Sequence, residues 1–372
     1  MKVTLERANL LKSLNHVHRV VERRNTIPIL SNVLVRAEGE GLMFKATDLD
    51  IEVLESAPAM IQTAGGTTIP ALMLYEIVRK LRDGSEITLE TNPDQTSLVL
   101  TSGTSTFNLQ VLPESDFPDI TAGEFSHKFT MKAADLKKLF ERAQFAISTE
   151  ETRYYLNGIY LHTVEVEGKL ILRAVATDGH RLAQLDMSAP SGSEGMPGII
   201  VPRKAVSEIQ KLIEDPEADI EIEVSDTKIR LNIGTVVLTS KLIDGTFPDY
   251  QRVIPQGNDK ELRVDCTEFA QAVDRVSTVS SDRGRAVKLA VSEGLLVLSV
   301  SSPDSGSAVE ELPVSYNAEP LEIGFNAKYL LDITNQLKSD DVIFKLAEGQ
   351  APAVIEDSAD ETALYVLMPM RV

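Results

Sequence analysis

Few side chains in this chain are placed to do covalent chemistry. Five histidines occur, His16, His18, His127, His162 and His180. Only His16 and His18 fall close together, and two residues apart on a helix they point to different faces. Ligand spacing for a metal is missing, so no metal site is expected. The run Thr177–Leu182 (TDGHRL) sets Asp178 beside His180 and Arg181, a trio that could be drawn as the acid–base machinery of a hydrolase. Its upstream counterpart, Thr47-Asp48-Leu49-Asp50, has neither His nor Arg, and no nucleophile is fixed beside it by sequence. A turn in which Asp178 holds the backbone is the simpler reading, and the edge of a binding pocket is the next. No Walker motif, G-x-S-x-G, dinucleotide fingerprint or HExxH occurs, so the expectation is a protein with no catalytic residue and no cofactor. The single cysteine, Cys266, excludes an internal disulfide framework, suits a reducing cytoplasm and reads as a core or strand-end residue.

The elements that position these residues recur. Val3, Leu5, Leu10 and Leu14 reappear as Phe129, Met131, Leu136 and Phe140, then as Leu262, Val264, Phe269 and Val273, with the same offsets. Ile69, Leu74, Ile77 and Leu81 are matched by Val201, Val206, Ile209 and Ile213, then by Phe325, Leu330, Ile333 and Leu337. Two further echoes keep the same order: 112–119 (LPESDFPD) against 242–249 (LIDGTFPD), and Ala46-Thr47-Asp48 against Ala176-Thr177-Asp178. Order and spacing preserved together imply three similar modules in 372 residues. Boundaries near Ala122-Gly123 and 255–258 (PQGN) give modules 1–122, 126–253 and 260–372, and 188–198 (SAPSGSEGMPG) reads as a surface loop inside the second.

Within each module, helical periodicity alternates with strand periodicity. Ile220-Glu221-Ile222-Glu223-Val224 and 229–233 (IRLNI) alternate as half-buried antiparallel strands do, and 295–300 and 342–346 are further strand candidates. The expected class is α+β: three topologically similar modules, with helices on one side of antiparallel sheet. No apolar run is long enough to span a bilayer, and the N-terminus lacks the apolar stretch of a signal peptide, so a cytoplasmic protein without a membrane partner is expected.

The net charge of −19 argues against a polyanionic partner until its distribution is read. Six candidate helical segments, 6–24, 71–82, 132–148, 203–214, 267–285 and 326–338, together carry +9, which leaves −28 for everything else. In the first segment Leu10, Leu14, Val17 and Val21 form an apolar stripe, while Lys12, Arg19 and Arg23 fall on another face, where they could meet phosphates. Packed helices stand roughly 8–10 Å apart, so six in a circle cannot pass a duplex, whereas twelve leave roughly 30–38 Å between axes. Two chains joined head to tail would supply twelve helices and close a ring with two equivalent interfaces.

The residues resemble one known family along essentially the full length, the bacterial DNA polymerase III beta subunits. The motifs are 153–158 (RYYLNG), 177–182 (TDGHRL), 201–204 (VPRK), 239–242 (TSKL), 247–250 (FPDY) and the terminal 365–372 (YVLMPMRV). The resemblance implies the DNA clamp fold: a ring-shaped homodimer with helices lining a central channel and antiparallel sheets outside. It implies sequence-independent binding of double-stranded DNA and tethering of the replicative polymerase alpha subunit. It also implies an ATPase clamp loader and other proteins that carry a clamp motif as partners.

Carried over residue by residue, the family's peptide-binding cleft falls on Leu156, Thr177, Gly179, His180, Arg181, Leu182, Pro248, Arg252, Val253, Val366, Met368, Pro369, Met370 and Arg371. Apolar walls with adaptable methionines suit aliphatic or aromatic anchors, and Arg181, Arg252 or Arg371 could meet acidic groups. Arg24, Tyr154 and Tyr155 match positions that touch DNA, and Arg79, Lys80, Arg82, Arg203, Lys204 and Lys211 are general channel charges. The dimer contact falls on Phe107, Leu109, Thr278 and Val279. The strand around Thr104 and Thr106 lacks the arginines common in other clamps, so apolar closure is expected rather than pairing with Glu310 and Glu311. Glu150 stands where relatives can carry a polar, DNA-touching residue. Two other readings remain at this point, a repeat-built hydrolase using Asp178 and His180, and a scaffold that binds no nucleic acid.

Overall fold

A computed structural model describes residues 1–23, 26–120, 123–280 and 286–372. Contacts divide the chain into two compact units. The first comprises 1–137, 190–197 and 204–242, and the second 138–189, 198–203 and 243–372. Among the described residues every strand pair is antiparallel. The α-helices are α1 (Arg7–Val17), α2 (Ala71–Lys80), α3 (Ala133–Gln144), α4 (Arg203–Leu212), α5 (Cys266–Ser277) and α6 (Ala327–Thr334).

The first unit holds two sheets. One has five strands, in the order Met60–Thr63, Lys2–Glu6, Glu86–Thr91, Ser97–Ser102, Ser105–Gln110. The other has eight, running His127–Lys132, Asp219–Val224, Lys228–Ile233, Val236–Lys241, Ile51–Pro58, Gly41–Thr47, Asn32–Glu38, Gly65–Pro70. The second unit matches it with an eight-stranded sheet, Ile199–Pro202, Gly158–Val166, Lys169–Thr177, Arg181–Ser188, Asp360–Leu367, Ala353–Asp357, Asp341–Leu346, Lys260–Asp265. Its smaller sheet runs Gly306–Pro313, Leu295–Ser302, Ala286–Ser292, Leu321–Asn326. The 126–253 stretch therefore contributes strands to both units.

The repeats fix equivalent registers. Val3, Leu89, Leu100 and Phe107 lie side by side across four strands, and so do Phe129, Ile222, Leu231 and Leu238, and Leu262, Phe344, Ile355 and Tyr365. A second set of pairs recurs as well: Val33 with Ile69 and Ala46 with Val53, then Ile159 with Val201 and Ala176 with Ala183, then Val287 with Phe325 and Val300 with Ala308. Nearly every member is buried, because a one-residue slip would turn a whole row to solvent. The helix starts are equally alike: the first amides of α1, α3 and α5, at Arg7, Ala133 and Cys266, donate to the carbonyls of Ser85, Ala218 and Asp340.

Helices end short of their expected segments, α3 at Gln144 within 132–148 and α5 at Ser277 within 267–285, and α1 does so too. The periodicity over 6–24 predicts a single helix, but α1 ends at Val17 and the chain turns through residues 18–20. The His18 ring meets the Leu14 carbonyl at 2.6 Å and stacks on Tyr75 at 4.0 Å between centroids, while Val20 and Val21 bury themselves. Lys12 therefore stays on the helix and Arg19 and Arg23 leave it, so the three form no continuous helical stripe.

Candidate functional site

The cleft grows from a turn in the second unit. Thr177 Oγ1 donates to the Arg181 carbonyl and accepts from the Gly179 amide, while Asp178 Oδ1 accepts from the amides of His180 and Arg181 at 2.9 and 3.1 Å. Thr47 and Asp48 make the same bonds to the amides of Leu49, Asp50 and Ile51 in the first unit. Leu49 there adopts φ +79° and Gly179 adopts φ +89°, a conformation that glycine takes without strain. The other oxygen of Asp178 binds Arg181 Nε at 3.0 Å, so both oxygens serve the turn. His180 reaches Tyr329 by a ring contact at 6.4 Å. A repeated structural turn, with both carboxylate oxygens bonded within it, accounts for Asp178 in TDGHRL.

Arg181 itself is 8% exposed. Its remaining guanidinium nitrogens bind Asp332 at 2.6 Å and the Phe145 carbonyl at 2.7 Å, and the group lies over Tyr329 at 4.2 Å. Arg181 therefore braces the cleft floor instead of presenting charge to an acidic ligand. Arg252 is largely exposed and pairs with Asp249 at 2.7 Å.

Above this brace lies a cavity of about 200 Å³ lined by Leu156, Thr177, Gly179, Arg181, Leu182, Pro248, Asp249, Tyr250, Val253, Val366 and Met368. Its floor is a packed cluster of Leu156, Val175, Leu182, Ile200, Phe247, Tyr250 and Val366. Val253 and Met368 are 52% and 42% exposed, which leaves apolar surface at the rim. Beneath it the Tyr250 hydroxyl accepts from Arg173 at 3.3 Å and lies 3.0 Å from His162 Nε2, while Asp186 holds Arg173 with two 2.7 Å bonds. Burial, reinforced by Arg173, pushes His162 down to about 4, so the ring beside the Tyr250 hydroxyl is neutral at neutral pH. The sequence missed Asp249 and Tyr250 in the lining, and Phe145, Tyr329 and Asp332 around Arg181. The FPDY motif is the one signal that pointed to the first pair. Of the remaining expected residues, Pro369, Met370 and Arg371 line a neighbouring depression with Glu322, Gly349, Gln350 and Val372.

The expected DNA contacts are less uniform than their charges suggest. In the first unit Lys204 is half-buried and binds Glu22 at 3.2 Å, Asp48 and the Val20 carbonyl. Burial alone would lower its pKa, but the bonds to Asp48 and Glu22 raise it. Lys211 pairs with Glu208 at 2.8 Å, and Arg79 and Lys80 share Glu76. Arg82 and Arg203 are exposed and have no ion pair among the described residues. Tyr154 is 53% exposed and meets the half-buried Tyr155 edge-on at 5.7 Å. Glu150 is held by Arg153 at 2.6 Å. Arg24 lies outside the described residues.

Comparison with known proteins supplies the remaining fact. Family profiles for the DNA polymerase III beta subunit match in series: the N-terminal domain over residues 1–121, the central domain over 130–249 and the C-terminal domain over 251–371. The chain belongs to the bacterial DNA polymerase III beta-subunit family, the beta sliding clamps. It is 51% identical to the beta sliding clamp of Caulobacter vibrioides, with 100% of both chains covered. It is 38% identical to that of Escherichia coli K12, again over 100% of both. A crystal structure of the Bartonella birtlesii sliding clamp bound to griselimycin superposes with a TM-score of 0.96 at 58% identity, with 100% of each chain covered. A Caulobacter crescentus clamp with PEG bound at a proposed beta-motif tethering region gives 0.98 at 51% identity, covering 100% of this chain and 99% of that one. The α+β class and the three similar modules read from the sequence agree with this family.

Of the residues expected at a clamp's dimer contact, Phe107 and Leu109 stand on a sheet-edge strand, whereas Thr278 and Val279 follow α5. Ser105–Gln110 ends the five-stranded sheet and Gly306–Pro313 ends the four-stranded one. Phe107 is half-buried, but Leu109 is 5% exposed and packs within its own unit. Thr278 caps α5, and Val279 is half-buried. Glu310 is bound by Arg275 at 2.5 and 3.1 Å, which holds its pKa below the ordinary carboxylate value and engages it inside its own chain.

Proposed function

We propose that this clamp acts as a ring-shaped homodimer that encircles duplex DNA without sequence preference, built from modules 1–122, 126–253 and 260–372. The observation that carries the reading is the repeated junction between rows. Leu238 pairs with Val53 in the first unit, and its equivalent Tyr365 pairs with Ala183 in the second. The equivalents of these positions in the remaining copies, Phe107 and Ala308, stand on strands that lack a partner on that side among the described residues. Two copies pairing Ser105–Gln110 with Gly306–Pro313 repeat the same junction twice more and close the ring. Exposed edges of this kind are templates for another strand.

In this reading the basic residues of the helices face the duplex and attract phosphates through water, which keeps every register nearly equal in energy and permits sliding. The cleft takes apolar anchors of the polymerase alpha subunit, of the ATP-dependent loader and of other clamp-motif proteins, in the cytoplasm and without catalysis. Griselimycin, the ligand of the Bartonella relative, is expected to bind this chain also. The deciding experiment loads the protein onto a nicked circular plasmid and then linearises it. Retention on the circle and loss through the ends support encirclement, whereas equal retention on both forms refutes it. Turnover of a substrate abolished by His180→Ala would favour the hydrolase reading instead.

A further inference from the structure

The residues that follow strand Asp360–Leu367 are fastened at two points. The Met368 amide donates to the His180 carbonyl at 2.9 Å, and the Met370 amide to the Gly324 carbonyl at 2.8 Å, an isolated antiparallel bridge. Strand Leu321–Asn326 pairs through its other edge with Ala286–Ser292, so the tail lies on the edge left open. A β-carbon at position 324 would stand 2.3 Å from Val372 Cγ1 and 2.7 Å from the Met370 carbonyl oxygen. Gly324 does not adopt a positive φ, so its backbone accepts any residue and the tail alone bars a side chain. Two residues earlier on this strand, the Glu322 carbonyl would lie 2.3 Å from a β-carbon on Gly349. Two glycines thus admit two segments to one strand edge.

We propose that Gly324 is a positioning residue for the peptide cleft. By admitting the C-terminal tail to the strand edge, it holds Met368, which lines the cavity, as a fixed wall against which a peptide's apolar anchor packs. This rests on the peptide-cleft reading above. A residue with a side chain at 324 displaces Met370–Val372, and the freed segment must then be ordered each time a ligand binds, which weakens affinity.

The test uses the full-length protein and a fluorescein-labelled hexapeptide ending in Leu-Phe, read by fluorescence polarisation, with hydrogen exchange at the Met370 amide as a separate readout. Wild type is expected to bind. Gly324→Ala is expected to lose protection at Met370 and to bind about tenfold more weakly, the scale of ordering one or two residues on binding. A chain truncated after Pro369 should show the same loss, and adding Gly324→Ala to it should change nothing further. Unchanged affinity or unchanged Met370 protection in Gly324→Ala, or an added effect of that substitution in the truncated chain, overturns the proposal. If Gly324→Ala fails to fold, wild-type affinity in the truncated chain overturns it alone. Failure of wild type itself to bind the peptide refutes the cleft reading, and exchange at Met370 still reports on tail docking.

Discussion

At the scale of single residues, the polar groups of this clamp are mostly engaged with one another. His16 shows what such engagement does to stability. It is 6% exposed, its Nδ1 lies 2.8 Å from the buried Glu55 and its Nε2 lies 3.1 Å from Glu214. Lys12 binds Glu214 from the other side at 3.0 Å. The hydrogen bond to Glu55 raises the His16 pKa above its ordinary 6.5, more strongly than burial lowers it. The folded chain therefore holds this proton more tightly than the unfolded chain. The stabilisation is complete below the unfolded value of 6.5 and fades as the pH rises through the higher native value. His16→Gln should lower stability by about 2 kcal/mol at pH 6, the scale of a charged hydrogen bond, and by clearly less at pH 9. Urea denaturation midpoints at the two pH values check it. An equal loss at both would show that the histidinium contributes nothing and that only packing was removed.

At the scale of elements, the places of helices and of several strands were legible in the sequence, and strand pairing and charge accessibility were not. The spacing of Ile69, Leu74 and Ile77 marks α2, and the alternation of 220–224 marks a strand observed over Asp219–Val224. Apolar periodicity reports which face is buried and leaves open which strands pair. Nothing in the spacing showed that Lys204 would reach back to Glu22 and Asp48, since those acids lie more than 150 residues away in sequence. Nor did it show that Arg181 would meet Asp332, or that the His18 ring would join the turn that ends α1. Long-range pairing separates the cations into two groups. Lys204→Ala leaves Asp48, which is 7% exposed at its side chain, without its cation, so it should lower the unfolding free energy by about 1–3 kcal/mol. Arg203→Ala, at an exposed site, should change stability within about 0.5 kcal/mol. Its retention on circular DNA should fall, and the fall should shrink as salt is raised. Paired measurements of the urea midpoint and DNA retention at two ionic strengths check the split. A stability loss in Arg203→Ala as large as in Lys204→Ala would remove it.

At the scale of the whole molecule, the repeated rows specify register as well as pairing. Because Leu238 opposes Val53 and Tyr365 opposes Ala183, closure of the proposed ring would set Phe107 against Ala308 of a second copy. One step along each strand, Thr106 then opposes Val309, and both side chains turn away from the row. Val309 is 65% exposed and Thr106 is exposed, so neither supports the fold of its own unit. Cross-strand neighbours of like charge repel, and those of opposite charge attract, by roughly 0.2–1 kcal/mol per pair, and the ring contains the pair twice. Thr106→Asp combined with Val309→Asp should shift the monomer–dimer equilibrium toward monomer. Thr106→Lys combined with Val309→Asp should restore dimer to at least the wild-type level, and in both double variants the unfolding of each unit should be unchanged. Sedimentation equilibrium in low salt reads the difference, which added salt should shrink. If the two double variants dissociate alike, these positions do not face each other and the inferred register is wrong. If both remain fully dimeric in low salt, the edge strands are not the contact.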